Sequence, residues 1–268
     1  MFSTAYAFLK RDFLIAISYK SAFAAEIVGV LFKVITFYYI GKVFGSAVSP
    51  SLAAFGNNYF AFLILGIALM DFMHTSLATF DTSIRESQMM GTLEIILLSP
   101  IKLSRMLLYS SLWAYTFTTF RLLCYLFFGA LLFDLDIGNG DPLTVIVFLA
   151  LSVLCFAPLG IISAAVIVVF KKGMWFQTLV SAASFFLGGV AFPINVLPEW
   201  IRPFGFYVPM THSVNGLRHG LLNGQSLAEL FGEALFLLIF ALVVTPISVF
   251  IFKLAISQAK VKGTLTHY

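Results

Sequence analysis

Long apolar runs separated by short polar stretches make up most of the chain. Six of them are long enough, at about 1.5 Å of rise per residue, to cross a hydrocarbon core of roughly 30 Å as helices. They fall at about 22–44, 59–80, 107–133, 143–170, 174–192 and 231–252. Ahead of the first, Phe2, Tyr6, Leu9, Phe13 and Ile17 recur at three- and four-residue spacing, with Lys10, Arg11, Ser18 and Lys20 elsewhere on the wheel. That pattern predicts an amphipathic helix over 1–20 lying along the bilayer surface. A cleaved signal peptide competes with it, since Lys10-Arg11 precedes an apolar patch and Ala22-Phe23-Ala24 resembles a cleavage site. The patch is short, is broken by Tyr19-Lys20, and is followed at once by the first span. The expectation is an all-α integral membrane protein with one transmembrane domain over 1–268.

Two segments interrupt the runs in different ways. Residues 81–106 are partly charged, with Arg85, Glu86 and Glu94 between the second and third spans. Gly91 can break a helix continuing from the second span, Thr92 is a suitable N-cap for a new short helix, and Glu94 lies in its first turn, opposite the positive helix end. Pro100 stops it. Residues 193–230 are too apolar for a solvated loop and too broken by Pro193, Pro198, Pro203 and Pro209 for a span. Trp200, Phe204, Phe206 and Tyr207 suit a membrane interface. Short helices over 198–206 and 210–222, dipping in from outside, are expected there as an external gate that includes Pro193, Pro198, Trp200, Pro209 and Arg218. The competing arrangement is a helical pair lying flat on the surface. Between the fourth and fifth spans only Lys171-Lys172-Gly173 intervenes, so those two form a tight hairpin. Gly160 with Ala164, and Ser184 with Gly188, have the small-xxx-small spacing that lets helices approach closely in lipid.

Composition agrees with this reading: 60% of residues are hydrophobic and 10% charged, against about 45–50% apolar in soluble domains. The net charge of +4 does not indicate nucleic acid, because the basic residues flank the spans instead of forming one stripe. Lys10, Arg11, Lys20, Arg85, Lys102, Arg105, Lys171, Lys172, Lys253, Lys260 and Lys262 fall on one side of the membrane; Lys42, Arg202 and Arg218 fall on the other, with Asp134, Asp136 and Asp141. By the positive-inside rule both termini are cytoplasmic. Cys124 and Cys155 lie within apolar runs, which leaves no disulfide framework or CxxC metal motif.

Candidate chemistry is confined to ionisable groups within the spans. Counted inward from the cytoplasmic ends, Asp71, Lys33 and Arg121 lie at depths of about 14, 17 and 21 Å, and so share a layer. A lone charge at such depth costs about 2.5–3.5 kcal/mol, so pairing of Asp71 with Lys33 or with Arg121 is expected. The other cation is then left for a substrate acid, water or a helix carbonyl. The layer serves either as a structural lock or as a substrate contact. Glu26, about one turn inside the interface, is expected to snorkel. His74, one turn from Asp71, is placed for a proton relay, although no third group accompanies the two. Tyr38, Tyr39, Trp113 and Tyr115 are candidates for stacking on sugars or for an interfacial belt. No phosphate loop, dinucleotide fingerprint, HExxH or GxSxG occurs, so any ATP is bound by another chain.

Gly91-Thr92-Leu93-Glu94 followed by Leu97-Leu98-Ser99-Pro100 resembles the cytoplasmic signature of type-2 ABC-transporter permeases. Gly188-Gly189-Val190-Ala191-Phe192-Pro193, Leu197-Pro198-Glu199-Trp200, Pro209-Met210-Thr211 and Gly216-Leu217-Arg218-His219-Gly220, in that order, resemble a second stretch of the same family, in the last third of the chain. The resemblance implies the permease subunit of an ATP-driven exporter in the bacterial inner membrane. Two such permeases would pair with two phosphate-loop ATPase subunits, which hold the ATP and Mg, while this chain binds no cofactor or metal of its own. It further implies that Arg85, Glu86, Gly91, Thr92, Leu93, Glu94 and Pro100 dock on the ATPase. The cargo would be a lipid-linked glycan, a lipid or an amphipathic compound. A membrane-embedded lipid-modifying enzyme using Asp71 and His74, or a secondary transporter, are the competing functions; the first lacks convergent polar groups and the second an internal repeat.

Overall fold

The computed structural model describes residues 2–48, 52, 58–89, 103–133, 135, 138, 140–170 and 174–261. Its helices are α1 (Phe2–Ser18), α2 (Lys20–Val48), α3 (Tyr59–Met89), α4 (Leu103–Phe133), α5 (Pro142–Phe170), α6 (Met174–Leu187), α7 (Arg202–Gly205), α8 (Pro209–Leu222) and α9 (Phe231–Val261), with a 3-10 turn at Ile194–Val196. α2, α3, α4, α5 and α9 are long and apolar enough to cross a membrane, and α6 is a shorter apolar helix.

α3 is the axis of the bundle. Within its most apolar stretch 78% of residues are buried, against 11% for α2 and 22% for α4. It packs on α2, α4, α5, α6 and α8, and Phe62, Ile64, Leu65, Leu69, Phe72 and Met73 are fully enclosed. Such a helix is apolar on most of its circumference, and its polar side chains Asp71, His74, Thr75 and Ser76 are bonded to neighbouring helices. α2, α4 and α9 instead show large hydrophobic side chains outward, among them Phe32, Phe127 and Phe250, as surfaces solvated by lipid tails do. Gly160 sits where α5 crosses α3: a Cβ there would run into the Ser76 carbonyl, and Ala164 one turn on is fully buried. The small-residue spacing therefore marks a close helix crossing.

The expected fifth span, 174–192, ends early. α6 has 14 residues, about 21 Å of helix, which is short of a full crossing. Gly188 still donates to the Ser184 carbonyl, but Gly189 adopts φ +68°, a left-handed conformation natural to glycine that ends the helix. The chain then turns through Pro193 and the 3-10 turn, and Ile201 and Arg202 both donate to the Pro198 carbonyl ahead of α7. The expected helix at 198–206 shortens to α7, while that at 210–222 is realised as α8. Pro209, Met210, Thr211, Val214, Leu217 and Arg218 of α8 are buried, and α8 packs on α3, α5, α6 and α9. It enters the bundle between these helices.

α5 begins with a complete N-cap. Asp141 accepts from the Leu143 and Thr144 backbone N–H groups at 3.2 and 3.3 Å and from the Thr144 hydroxyl at 2.5 Å, and Pro142 occupies the first helical position. The Thr144 hydroxyl, helped by the two backbone donors and opposed by desolvation, holds the Asp141 carboxyl below the usual carboxylate range. Because the folded value is the lower one, the cap's ionic contribution is fully present above the unfolded value, about 3.9, and is lost as pH falls through the folded value. The thermal midpoint of Asp141→Ala, followed by intrinsic fluorescence, should lie below wild type at pH 7, with the gap narrowing below about pH 4. A constant gap across that range would remove the carboxylate from the account.

Candidate functional site

Lys33, Asp71 and Arg121 meet in the layer expected for them, and Glu26 joins them, so four ionisable side chains from three helices come together. On α2, Glu26, Val30 and Lys33 recur at four and three residues and so share a face; Val30 is buried and the two charged residues flank it. Asp71 comes from α3, and Arg121 and Tyr125 lie one turn apart on α4. Lys33 Nζ is 3.3 Å from both Asp71 oxygens and 3.2 Å from the Tyr125 hydroxyl. Tyr125 donates to Asp71 Oδ2 at 2.6 Å. Arg121 Nη1 stands 3.6 Å from Asp71 Oδ2, and its Nη2 is 3.2 Å from Glu26. Asp71 thus pairs with both cations, where a single partner is expected from the sequence, and Arg121 bridges two acids. Glu26, expected to snorkel, is held by Arg121. Two carboxylates face two cations, so the cluster is formally neutral.

The cluster opens on a cavity of about 430 Å³ lined by Ala22, Ala25, Glu26, Gly29, Lys33 and Arg121. Side-chain exposure grades from Asp71 (12%) through Arg121 (21%) to Lys33 (45%) and Glu26 (52%). Asp71 is therefore the anchor, and Lys33 with Glu26 forms the accessible edge. Arg121 Nε is buried without a hydrogen-bond partner. The edge offers one cation, one carboxylate and apolar walls, which suits a polar headgroup on an apolar body better than a covalent reaction.

A second polar centre closes the turn after α6. Arg218 is fully buried, and its guanidinium donates to the carbonyls of Phe62 (3.1 and 2.7 Å), Gly189 (2.7 Å) and Val190 (2.8 Å). It also lies 3.3 Å from the centroid of the Phe62 ring. The Tyr59 hydroxyl donates to the next carbonyl, Ala191, at 2.9 Å. Irregular backbone inside a membrane protein needs such internal donors, because lipid supplies none. Close by, the Thr211 hydroxyl donates to the Gly205 carbonyl at 2.7 Å.

The profile of the ABC-2 type transporter family matches residues 5–222. The chain belongs to that family. Among characterised relatives, the permease is 27% identical over 233 residues to "Nodulation protein J" of Rhizobium leguminosarum bv. viciae, covering 82% of each chain. It is 27% identical over 180 residues to "Nodulation protein J" of Rhizobium meliloti (strain 1021), covering 63% of this chain and 64% of that one. A shorter match, 27% over 118 residues, covers 42% of this chain and 31% of "Linearmycin resistance permease protein LnrN" of Bacillus subtilis (strain 168). The protein is thus a multi-pass membrane permease, the transport subunit of an ABC transporter, and permeases of this kind work with ATPase subunits.

The other predicted site residues of the permease fall into three groups. Arg85 and Glu86 lie on α3, which continues as helix to Met89, nine residues past the predicted span; Gly91, Thr92, Leu93, Glu94 and Pro100 lie outside the described residues. His74 hydrogen-bonds Ser181 of α6 at 3.4 Å instead of Asp71, which leaves the relay geometry unmade. In the segment after α6, Pro193 and Pro198 shape the turns, Trp200 is exposed and Pro209 is buried at the start of α8. Arg218, expected among the gate residues, is a buried staple. Of the four aromatic candidates, Tyr38 stacks on Phe133 and Tyr115 donates to Ser76, while Trp113 stacks on Phe117; Tyr39 remains exposed. Sequence reasoning missed Tyr125, whose signal was its position one turn from Arg121. It also missed the tie between α8 and α9 made by His212, which contacts Glu233, donates from Nε2 to the Phe206 carbonyl at 2.8 Å and stacks on Phe236.

Proposed function

We propose that this permease forms, with a second copy of itself, the passage of an ATP-driven exporter whose cargo is a lipid, a lipid-linked glycan or another amphipathic compound. Two phosphate-loop ATPase subunits hydrolyse ATP with Mg, and the termini face the cytoplasm across a bacterial inner membrane. The observation that carries this reading is the exposed edge of α2. Glu26 and Lys33 face outward from a span that the chain itself buries only slightly. Charges left in hydrocarbon cost about 2.5–3.5 kcal/mol each, so this edge belongs beside a watery path or a second protein surface. A passage between two copies supplies both. The mixed charges of the accessible Lys33 and Glu26 suit the headgroup of an amphipathic cargo. The match to a relative named for linearmycin resistance supports small-molecule cargo as well as lipid.

ATP closing the partner subunits would push on 81–106 and on α1. α3 carries that push inward, because its length links the coupling segment to Asp71. A row of hydrogen bonds ties α4 to it on the way: Thr75 with Thr118 at 2.8 Å and Tyr115 with Ser76 at 2.9 Å.

The test is to co-express the permease with a phosphate-loop ATPase encoded beside it, reconstitute the complex, and measure ATPase stimulation across a panel of glycolipids, lipids and drugs. Glu94→Ala should leave assembly intact and reduce cargo-stimulated ATP hydrolysis about tenfold or more, equivalent to about 1.4 kcal/mol of lost coupling. Unchanged coupling in that variant would overturn the docking role of Glu94, and failure of the two chains to co-purify would overturn the assembly itself.

A further inference from the structure

A second cavity, separate from the charge cluster, lies between α1 and α4 and has a volume of about 490 Å³, within the roughly 300–1,000 Å³ typical of small-ligand sites. Its walls are almost wholly apolar and are held by ring contacts: Phe13 meets Trp113 edge-on at 5.7 Å, Trp113 stacks on Phe117 at 5.9 Å, and Phe23 packs on Phe117 at 5.9 Å. Lys10 is the one charged residue on its lining. The neighbouring Arg11 is engaged by Asp12 at 2.8 Å, whereas Lys10 has no ion-pair partner among the described residues. Phe13 and Leu14, on the α1 side, are exposed within the chain.

We propose that this cleft seats one anionic phospholipid of the bilayer, with an acyl chain between Phe13, Phe23, Trp113 and Phe117 and the lipid phosphate on Lys10. A slot with apolar walls and a single cation at its edge matches an acyl chain and an anionic headgroup in both chemistry and order. Occupancy fills the gap between α1 and the bundle, where α1 touches α4 more than α2. The bound lipid then acts as a structural ligand that sets the position of α1. The charge cluster, whose Arg121 lies over the Phe117 ring at 5.5 Å, is left to the cargo.

The chain has three tryptophans, so Trp175→Phe with Trp200→Phe leaves Trp113 as reporter in the full-length permease. In nanodiscs of phosphatidylcholine, increasing fractions of brominated phosphatidylglycerol or brominated phosphatidylcholine would be compared as quenchers. Trp113 should be half-quenched at about a fivefold lower fraction of the anionic lipid, the preference expected of one basic group at a membrane surface. Lys10→Gln should abolish that preference. In a second reporter retaining only Trp175, which is exposed on α6, the same Lys10→Gln change should alter nothing, which also confirms an intact fold. Equal quenching by the two headgroups, or a preference that survives Lys10→Gln, would overturn the proposal.

Discussion

Replacing Arg218 with methionine should destabilise the permease by on the order of 3–9 kcal/mol, because three buried carbonyls lose this donor and each costs about 1–3 kcal/mol when left unpaired. The loss is large because water cannot follow. Phe62, Gly189 and Val190 present their carbonyls to a fully enclosed guanidinium, and methionine fills the same volume with no donor. Arg218→Lys should recover only part of the loss: an ammonium keeps the charge but lacks the planar fork that reaches the Phe62 and Val190 carbonyls together. The readout is the thermal midpoint and the monodisperse fraction in detergent. A wild-type midpoint in Arg218→Met would mean that the turn after α6 is held by other contacts.

The second large effect is expected at Asp71. Asp71→Asn leaves Lys33 and Arg121 close together with only Glu26 to balance them, and an uncompensated charge at this depth costs about 2.5–3.5 kcal/mol. Lys33 is nearly half exposed to the cavity, so solvent screens part of its share and Arg121 bears most of the cost. Stability should therefore fall by less than one full uncompensated charge would require. Adding Lys33→Met should recover part of it, with a coupling in the range of about 0.5–3 kcal/mol between the two sites. Strictly additive losses in that cycle would show that Asp71 and Lys33 do not sense one another. Transport by the reconstituted complex, measured in parallel, separates the two roles of the layer: a lock alone would restore transport with stability, whereas a cargo contact would leave Lys33→Met deficient.

The positions of the long helices were legible because an apolar run must be long enough to cross lipid, and that length is visible in one dimension. α5 starts one residue from its predicted boundary and ends on it. α3 overran because its helix continues through 81–89, a stretch of polar sequence where hydrophobicity gives no boundary signal. α6 fell short because Gly188-Gly189 ended it, and the stretch through Phe192 is apolar enough to disguise the stop. The charge layer was legible by depth, since the cost of an isolated charge demands a partner. Its membership was not: Tyr125 in an apolar run has many uses, and Glu26 sat close enough to the interface to need no partner. Arg218 was placed on the correct helix, yet its role depends on a carbonyl 156 residues away. A contact at that separation leaves no trace in local pattern.

The reach of α3 has a mechanical consequence. From Met89 to Asp71 is about 27 Å of continuous helix, and hydrogen bonds along α4 keep the two from sliding freely. Tilting this rod by about 5° around its Met89 end would sweep Asp71 through about 2 Å, by the same rise per residue. The Lys33 contact is 3.3 Å long, so that sweep is enough to part the ions. On the proposed coupling, a small rotation at the base would be amplified into a parting of Lys33 from Asp71, and the Asp71 cluster would act as a latch at the far end of a lever.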